Sequence, residues 1–248
     1  MTKQTIIFCL VVLTFYFGVL LAIGCQPTAA IQHHNRGVDL AAEGRYEEAI
    51  LEFNKALELD PNSAKAHIGR GAAYGDIEEY DKAIVDFNKA IELAPEDAWA
   101  YLSRGHVYRQ KNELDKAIID LDKAIELDPK LDMAYFDRGT AYAQKGEFDR
   151  AIVDFDKAIK LRPQYAWAYY NRALAYFYKG EVDRAIADFT KAIEFDPDYI
   201  LAYFNRGLAY RDKGDVARAV SDLDKVITLT TDSQLIEMAR QEIEELTE

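Results

Sequence analysis

The stretch Ala134-Tyr135-Phe136-Asp137-Arg138-Gly139-Thr140-Ala141-Tyr142 leads through Gly146 into Ala151-Ile152-Val153-Asp154-Phe155-Asp156-Lys157-Ala158-Ile159, and Pro163 closes the segment. Each half has apolar residues at helical spacing, the first rich in Ala and Tyr, the second in Ala, Ile and Phe. The segment recurs along the chain. All six prolines, Pro27, Pro61, Pro95, Pro129, Pro163 and Pro197, are spaced by 34 residues. A fixed period of that length marks stacked supersecondary units rather than one globular core.

Repeat starts at Ala30, Ala64, Ala98, Asp132, Ala166 and Ile200 bring the rest of the sequence into register. Gly37, Gly71, Gly105, Gly139 and Gly207 hold the eighth position, with Ala173 in the fifth repeat. Ala49, Ala83, Ala117, Ala151, Ala185 and Ala219 hold the twentieth. Small residues at both places let the two helices of a repeat pack at the short end of the usual separation of about 8–10 Å. Tyr74, Tyr108, Tyr142, Tyr176 and Tyr210, with Leu40 in the first repeat, fill the space beside them. Gly44, Gly146, Gly180 and Gly214 supply the left-handed residue that ends a first helix. Glu78 and Asn112 stand at that position in two repeats, which lack the glycine signal. Beyond Thr231, where the next proline is expected, residues 233–246 read as one more helix with Leu235, Ala239, Ile243 and Leu246 on one side.

This pattern resembles the tetratricopeptide repeat family, whose period is 34 residues. The resemblance covers residues 30–231 as repeats 30–63, 64–97, 98–131, 132–165, 166–199 and 200–231. It implies an all-α fold, a right-handed superhelical solenoid of six helix-turn-helix repeats, with a C-terminal capping helix in residues 232–248. A single helix pair cannot bury both faces, so stability is expected from neighbour stacking and a polar cap.

Composition narrows the function. The chain has 248 residues with 30 Lys and Arg against 43 Asp and Glu, a net charge of -13, so the basic footprint of a nucleic-acid binder is missing. Cys9 and Cys25, the two cysteines, lie in the first 25 residues, which leaves the repeats without thiol nucleophiles or Cys-ligated zinc. His33 and His67 stand at the fourth position, where Tyr101, Tyr135, Tyr169 and Tyr203 stand in later repeats, and read as packing residues. With His34 and His106 they form no metal-ligand spacing, and no phosphate loop or nucleophile elbow is present. No metal, cofactor or catalytic centre is expected. Arg36, Arg70, Arg104, Arg138, Arg172 and Arg206 repeat at the seventh position, and Glu52, Asp86, Asp120, Asp154, Asp188 and Asp222 at the twenty-third. A catalytic pair would occur once. Six in step read as a structural ladder of ion pairs, because a half-buried guanidinium needs an acceptor.

At the N-terminus, Lys3 precedes eighteen uncharged residues, Ile6 to Ile23, followed by Gly24 and Cys25. That length lies between the apolar core of a secretory signal and a spanning helix. Leu21-Ala22-Ile23-Gly24-Cys25 resembles the lipobox of bacterial lipoproteins, which implies a signal peptide in residues 1–24, acylation of Cys25 and a short tether in residues 25–29. Ala22 stands where that motif most often has Leu. An uncleaved signal anchor ending near Cys25 is the other reading. Both place the repeats outside the cytoplasm, in the cell envelope on its periplasmic or extracellular side, because no basic residue follows Lys3 until Arg36.

In the tetratricopeptide family the inner face is built mainly from positions 2, 5, 6, 9, 12 and 13 of each first helix. Mapped here, repeats three to six contribute Trp99, Arg109, Phe136, Trp167, Tyr170, Asn171, Phe177, Tyr178, Phe204 and Asn205. The first two repeats give a plainer surface that includes Ile31, Val38 and Lys65. Half-exposed, the seven aromatics would offer on the order of 500–900 Å², more than a soluble monomer usually leaves open. The family's clamp for carboxylate termini has no match in three consecutive repeats, although Asn171 and Asn205 resemble its backbone-binding asparagines. The resemblance implies a membrane-anchored, non-catalytic adaptor whose groove binds a peptide segment of another envelope protein. A binder of glycan or peptidoglycan through the same aromatics, or a pilotin-like assembly factor for a pilus or secretion complex, are the alternatives.

Overall fold

The computed structural model describes residues 28–247, so the expected leader in residues 1–24, Cys9, Cys25 and most of the expected tether lie outside the described residues. Within them the chain is all helical, with thirteen helices and no strand. It divides into two compact units at Leu93 and Ala94. The first contains α1 (Ala29–Ala42), α2 (Tyr46–Leu59), α3 (Ala64–Asp76) and α4 (Tyr80–Leu93). The second contains α5 (Ala98–Gln110), α6 (Leu114–Leu127), α7 (Asp132–Gln144), α8 (Phe148–Leu161), α9 (Ala166–Tyr178), α10 (Val182–Phe195), α11 (Ile200–Asp212), α12 (Val216–Leu229) and α13 (Ser233–Thr247). In each unit the helices pair in sequence order as hairpins, and each hairpin's second helix packs on the first helix of the next. Among the described residues no helix is long and apolar enough to cross a membrane.

The turns obey local backbone rules. Gly44, Gly146, Gly180 and Gly214 have φ between 75° and 78°, and Glu78 and Asn112 adopt the same conformation at 63° and 60°. The N–H of the following residue then reaches back five residues in every case, as Arg45 to Leu40 at 2.9 Å and Glu113 to Tyr108 at 2.8 Å. The two turns without glycine therefore form the same cap, at a cost of about 1–2 kcal/mol each for a side chain in the left-handed region. At the other end of each hairpin, proline forces the preceding residue out of the helical region. Asp60, Asp128, Arg162 and Asp196 accordingly have ψ between 86° and 96°.

Packing within a hairpin depends on the small residues. The six alanines at the twentieth position have no exposed surface, and Phe53, Phe87, Leu121, Phe155, Phe189 and Leu223 lie fully buried four residues further on. A methyl group added at Gly71 would meet the Phe87 ring at 2.8 Å, so the ring fills the space that glycine leaves. At the C-terminus, Leu235, Ala239, Ile243 and Leu246 of α13 pack with Phe204, Leu223 and Val226 and cover the last hairpin.

The charged positions form a ladder. Arg70, Arg104, Arg138, Arg172 and Arg206 each fork onto the carboxylate sixteen residues later through Nε and Nη2, at 2.6–2.8 Å. Nη1 of Arg70, Arg138, Arg172 and Arg206 donates instead to Asn54, Asp122, Asp156 and Thr190, on the second helix of the preceding hairpin. Tyrosine rings flank the guanidinium, Tyr169 and Tyr176 around Arg172 and Tyr203 and Tyr210 around Arg206. Burial pushes the Asp154 carboxyl up, and the Arg138 fork opposes it.

The first repeat departs from the expected ladder. Glu52 is held by Lys55 at 2.8 Å and His33 at 2.6 Å, not by a forked Arg36, and these bonds pull its carboxyl down to about 2. His67, in the second repeat, combines packing with bonding: it is buried, with Nδ1 2.8 Å from Asp86 and Nε2 3.1 Å from the Pro61 carbonyl.

Replacing Arg138 with alanine strands a buried carboxylate, which typically costs about 3–5 kcal/mol. Arg138→Ala is therefore expected to lower the melting temperature markedly in thermal denaturation followed by circular dichroism. Arg138→Lys should recover only part of the loss, because an ammonium cannot serve three acceptors in the planar geometry of the fork.

Candidate functional site

In the second unit the first helices of successive hairpins lie side by side: α5 touches α7, α7 touches α9 and α9 touches α11. Their shared face contains the positions that the sequence selected. Trp99, Trp167 and Tyr178 are 50%, 57% and 68% exposed. Phe136, Tyr170 and Phe177 are half-buried. Phe204 is only 8% exposed, in the cluster that α13 closes, so it is a core residue and unavailable to a ligand. The expected continuous patch of seven rings is thus three exposed rings over a partly buried aromatic floor.

That floor is built from rings the sequence reading did not single out. Phe136 packs on Tyr165 at 5.0 Å and Phe155 at 6.0 Å. Trp167 and Tyr170 lie on Tyr199, with ring centroids 5.2 and 4.7 Å away. Tyr165 and Tyr199 occupy the last position of their repeats, immediately before a first helix, where Ser63 and Asp97 act as caps elsewhere. Burial pushes the Tyr170 and Tyr165 hydroxyls up to about 12, which keeps both neutral across the physiological range. The Tyr170 hydroxyl accepts a bond from Asn205 Nδ2 at 3.0 Å.

The polar candidates are already engaged. Asn171 Nδ2 donates to the Trp167 carbonyl at 2.8 Å, and Asn205 Nδ2 donates to the Leu201 carbonyl at 2.9 Å. Arg109, expected as a groove cation, is largely buried and lies 3.2 Å from Asp137. Asp137 is 2% exposed and also lies 2.9 Å from His106 Nδ1. The pair crosses from α5 to α7, so the charge of Arg109 is neutralised inside the protein. The sequence signal for this was Asp137 itself, an acid at the sixth position where Asn171 and Asn205 stand in the next repeats.

Beside Tyr178, a cleft of ≈ 250 Å³ opens between α7 and α9. Phe148, the first residue of α8, stacks beneath the Tyr178 ring at 5.5 Å and 14°. No group of three or more metal-ligating side chains occurs among the described residues. In the first unit, His34 packs on Phe53 at 5.6 Å, and burial lowers its pKa. Ile31 and Val38 are exposed there.

The arrangement defines an all-helical repeat protein with an aromatic, mostly uncharged face. A family described as "TPR repeat" matches residues 37–77, 105–146, 139–177 and 173–214. Families described as "Tetratricopeptide repeat" match residues 64–97, 87–119 and 200–233. The chain belongs to the tetratricopeptide repeat family, whose members typically serve as protein-interaction modules, and none of the matching families is an enzyme family.

Solved structures agree in fold. The structure titled APC/C hetero-tetramer Cut9-Hcn1 is similar over 95% of this chain at 20% identity and a TM-score of 0.79, and this chain spans only 46% of that one. YrrB, titled a TPR protein with an unusual peptide-binding site, is 25% identical over 76% of this chain and 97% of its own, with a TM-score of 0.61. PilW, titled a widely conserved type IV pilus biogenesis factor, is 18% identical over 86% of this chain and 99% of its own, with a TM-score of 0.79. No curated protein matches the sequence.

The contrast between floor and surface has a direct test in stability. Phe204→Ala should cost about 3–5 kcal/mol, as expected for a buried phenylalanine, whereas Trp99→Ala should stay within about 1 kcal/mol of the parent. Equilibrium urea unfolding of the two variants would measure both.

Proposed function

We propose that the protein is a non-catalytic adaptor that binds a peptide segment of another protein along the face shared by α5, α7, α9 and α11. The observation behind this reading is the exposure of Trp99, Trp167 and Tyr178 on one face of a protein-interaction repeat. Large exposed aromatics over a packed floor are the usual composition of an interface centre. The floor also pre-positions them, which reduces the ordering cost of binding. The similarity to YrrB, whose title names a peptide-binding site, supports the same reading. The uncharged run from Ile6 to Ile23 followed by Cys25 supports attachment to an envelope membrane, through a lipid on Cys25 or an uncleaved anchor, with the repeats outside the cytoplasm. The partner is then another envelope protein.

Capture of partners by the intact protein from its own envelope, followed by titration of the recovered peptide, tests the adaptor role. Trp167→Ala should weaken that peptide about thirtyfold, the consequence of losing roughly 2 kcal/mol at a central aromatic. Lys65→Ala in the first unit should change little. Retention of purified peptidoglycan with no peptide bound would replace the adaptor reading with the glycan one. For the anchor, Cys25→Ser should abolish labelling by a fatty-acid analogue and leave a longer chain. Equal labelling and size in both proteins would favour an uncleaved helix.

A further inference from the structure

The cleft between α7 and α9 has a chemistry of its own. One wall is the stacked pair of Tyr178 and Phe148, and because Tyr178 is 68% exposed, the ring face turned away from Phe148 is open. Leu174 lines the cleft beside it, and Thr140, Gln144 and Asn171 supply its polar groups. The helix backbone fixes two of these. Thr140 Oγ1 donates to the Phe136 carbonyl at 2.9 Å, and Asn171 Nδ2 donates to the Trp167 carbonyl, which leaves Asn171 Oδ1 available as an acceptor. Gln144 has no hydrogen-bond partner among the described residues, so its amide offers both a donor and an acceptor.

No charged residue lines the cleft. Lys145 and Lys179, which follow Gln144 and Tyr178 in sequence, are held by Asp115 and Asp149 at 2.6 Å. A carboxylate or phosphate would therefore be desolvated without a counter-charge, on a protein of net charge -13. An ammonium group would find no carboxylate in the lining. An aliphatic side chain would fill the apolar part but desolvate the amides without replacing their hydrogen bonds with water. A ring that is apolar in body and polar at its tip satisfies both halves, stacking on an aromatic face and bonding at the rim.

We propose that this cleft is the anchor pocket of the peptide face and takes a tyrosine or tryptophan side chain of the partner. The ring lies on the open face of Tyr178, and the hydroxyl or indole N–H meets Gln144 and Asn171. The segment around it is free of acidic residues. This inference rests on the peptide-binding reading above.

Selection of a random peptide library on the detergent-solubilised full chain, with Trp167→Ala as the control, tests both at once. Peptides enriched on the parent should share a tyrosine or tryptophan and lack acids next to it. In the best peptide, tyrosine to phenylalanine should weaken binding at least about threefold, the effect of one lost hydrogen bond. Gln144→Met should reduce that preference while retaining binding, because Asn171 Oδ1 still accepts from the hydroxyl. Tyr178→Ala should weaken tyrosine and phenylalanine peptides alike by about tenfold or more, with an unchanged melting temperature because the ring is exposed. Enriched peptides anchored by aliphatic or charged residues, or affinities untouched by both substitutions, would overturn the anchor pocket and leave the adaptor reading standing. Absence of any enrichment over the Trp167→Ala control would overturn the adaptor reading, and the pocket with it.

Discussion

The forked arginine at the seventh position of a repeat is the interaction on which the architecture turns. A guanidinium presents its donors in one plane, so two parallel bonds to a carboxylate fix the orientation of both groups. In Arg138, Arg172 and Arg206 that pair sets the second helix of the hairpin against the first, while Nη1 reaches the preceding hairpin. One side chain thus relates three helices, and flanking tyrosines limit its access to water. The aspartates are buried, so a broken rung would leave a charge without compensation. Close helix packing accompanies the fork: Gly71 and Gly139 lie against Phe87 and Phe155 with no room for a methyl group, whereas the fifth repeat takes Ala173 beside Phe189 and keeps the Arg172 fork.

That constraint separates stability from recognition. Positions 7, 8, 20, 23 and 24 serve the ladder and the rings beneath it, and they vary little among repeats. Position 2 escapes the constraint. Ile31, Trp99, Met133, Trp167 and Leu201 all stand there, and all are exposed although none is polar. Exposure at that position follows from helix geometry rather than from residue type, so the large side chains placed there are informative about binding.

Much of this could be read from the sequence, and the failures have a common cause. The period, the turn glycines and the arginine–aspartate pairing depend on spacing within a repeat or between adjacent repeats. Glu78 and Asn112 form the same turn without glycine because the bond from the next N–H back across five residues outweighs the cost of a left-handed side chain. Burial on the binding face depends instead on whatever the next element supplies. Leu102, Phe136, Tyr170 and Phe204 share the fifth position, yet Leu102 and Phe204 are buried and the other two are not. Phe204 is covered because α13 follows it, a consequence of the cap that no single-repeat pattern contains. Tyr165 and Tyr199 were hidden for the opposite reason, since they sit at positions where other repeats have helix caps and only the fold turns them beneath Phe136 and Trp167.

The one conspicuous charge on the binding face follows the same logic. Asp137 occupies a position that is asparagine in the two following repeats, and burying a carboxylate there costs several kcal/mol unless cations meet it. Arg109 of α5 supplies the counter-charge, and His106 Nδ1 of the same helix lies 2.9 Å from the carboxylate. The result removes from the surface the cation that sequence position alone would assign to it. At the other end, Arg211 is bound by Glu242 of α13 and by Asp212. With its charges paired internally at both ends, the face between Met133 and Leu208 presents aromatic rings and neutral amides to solvent, and selection there falls to ring shape and hydrogen bonding rather than to charge.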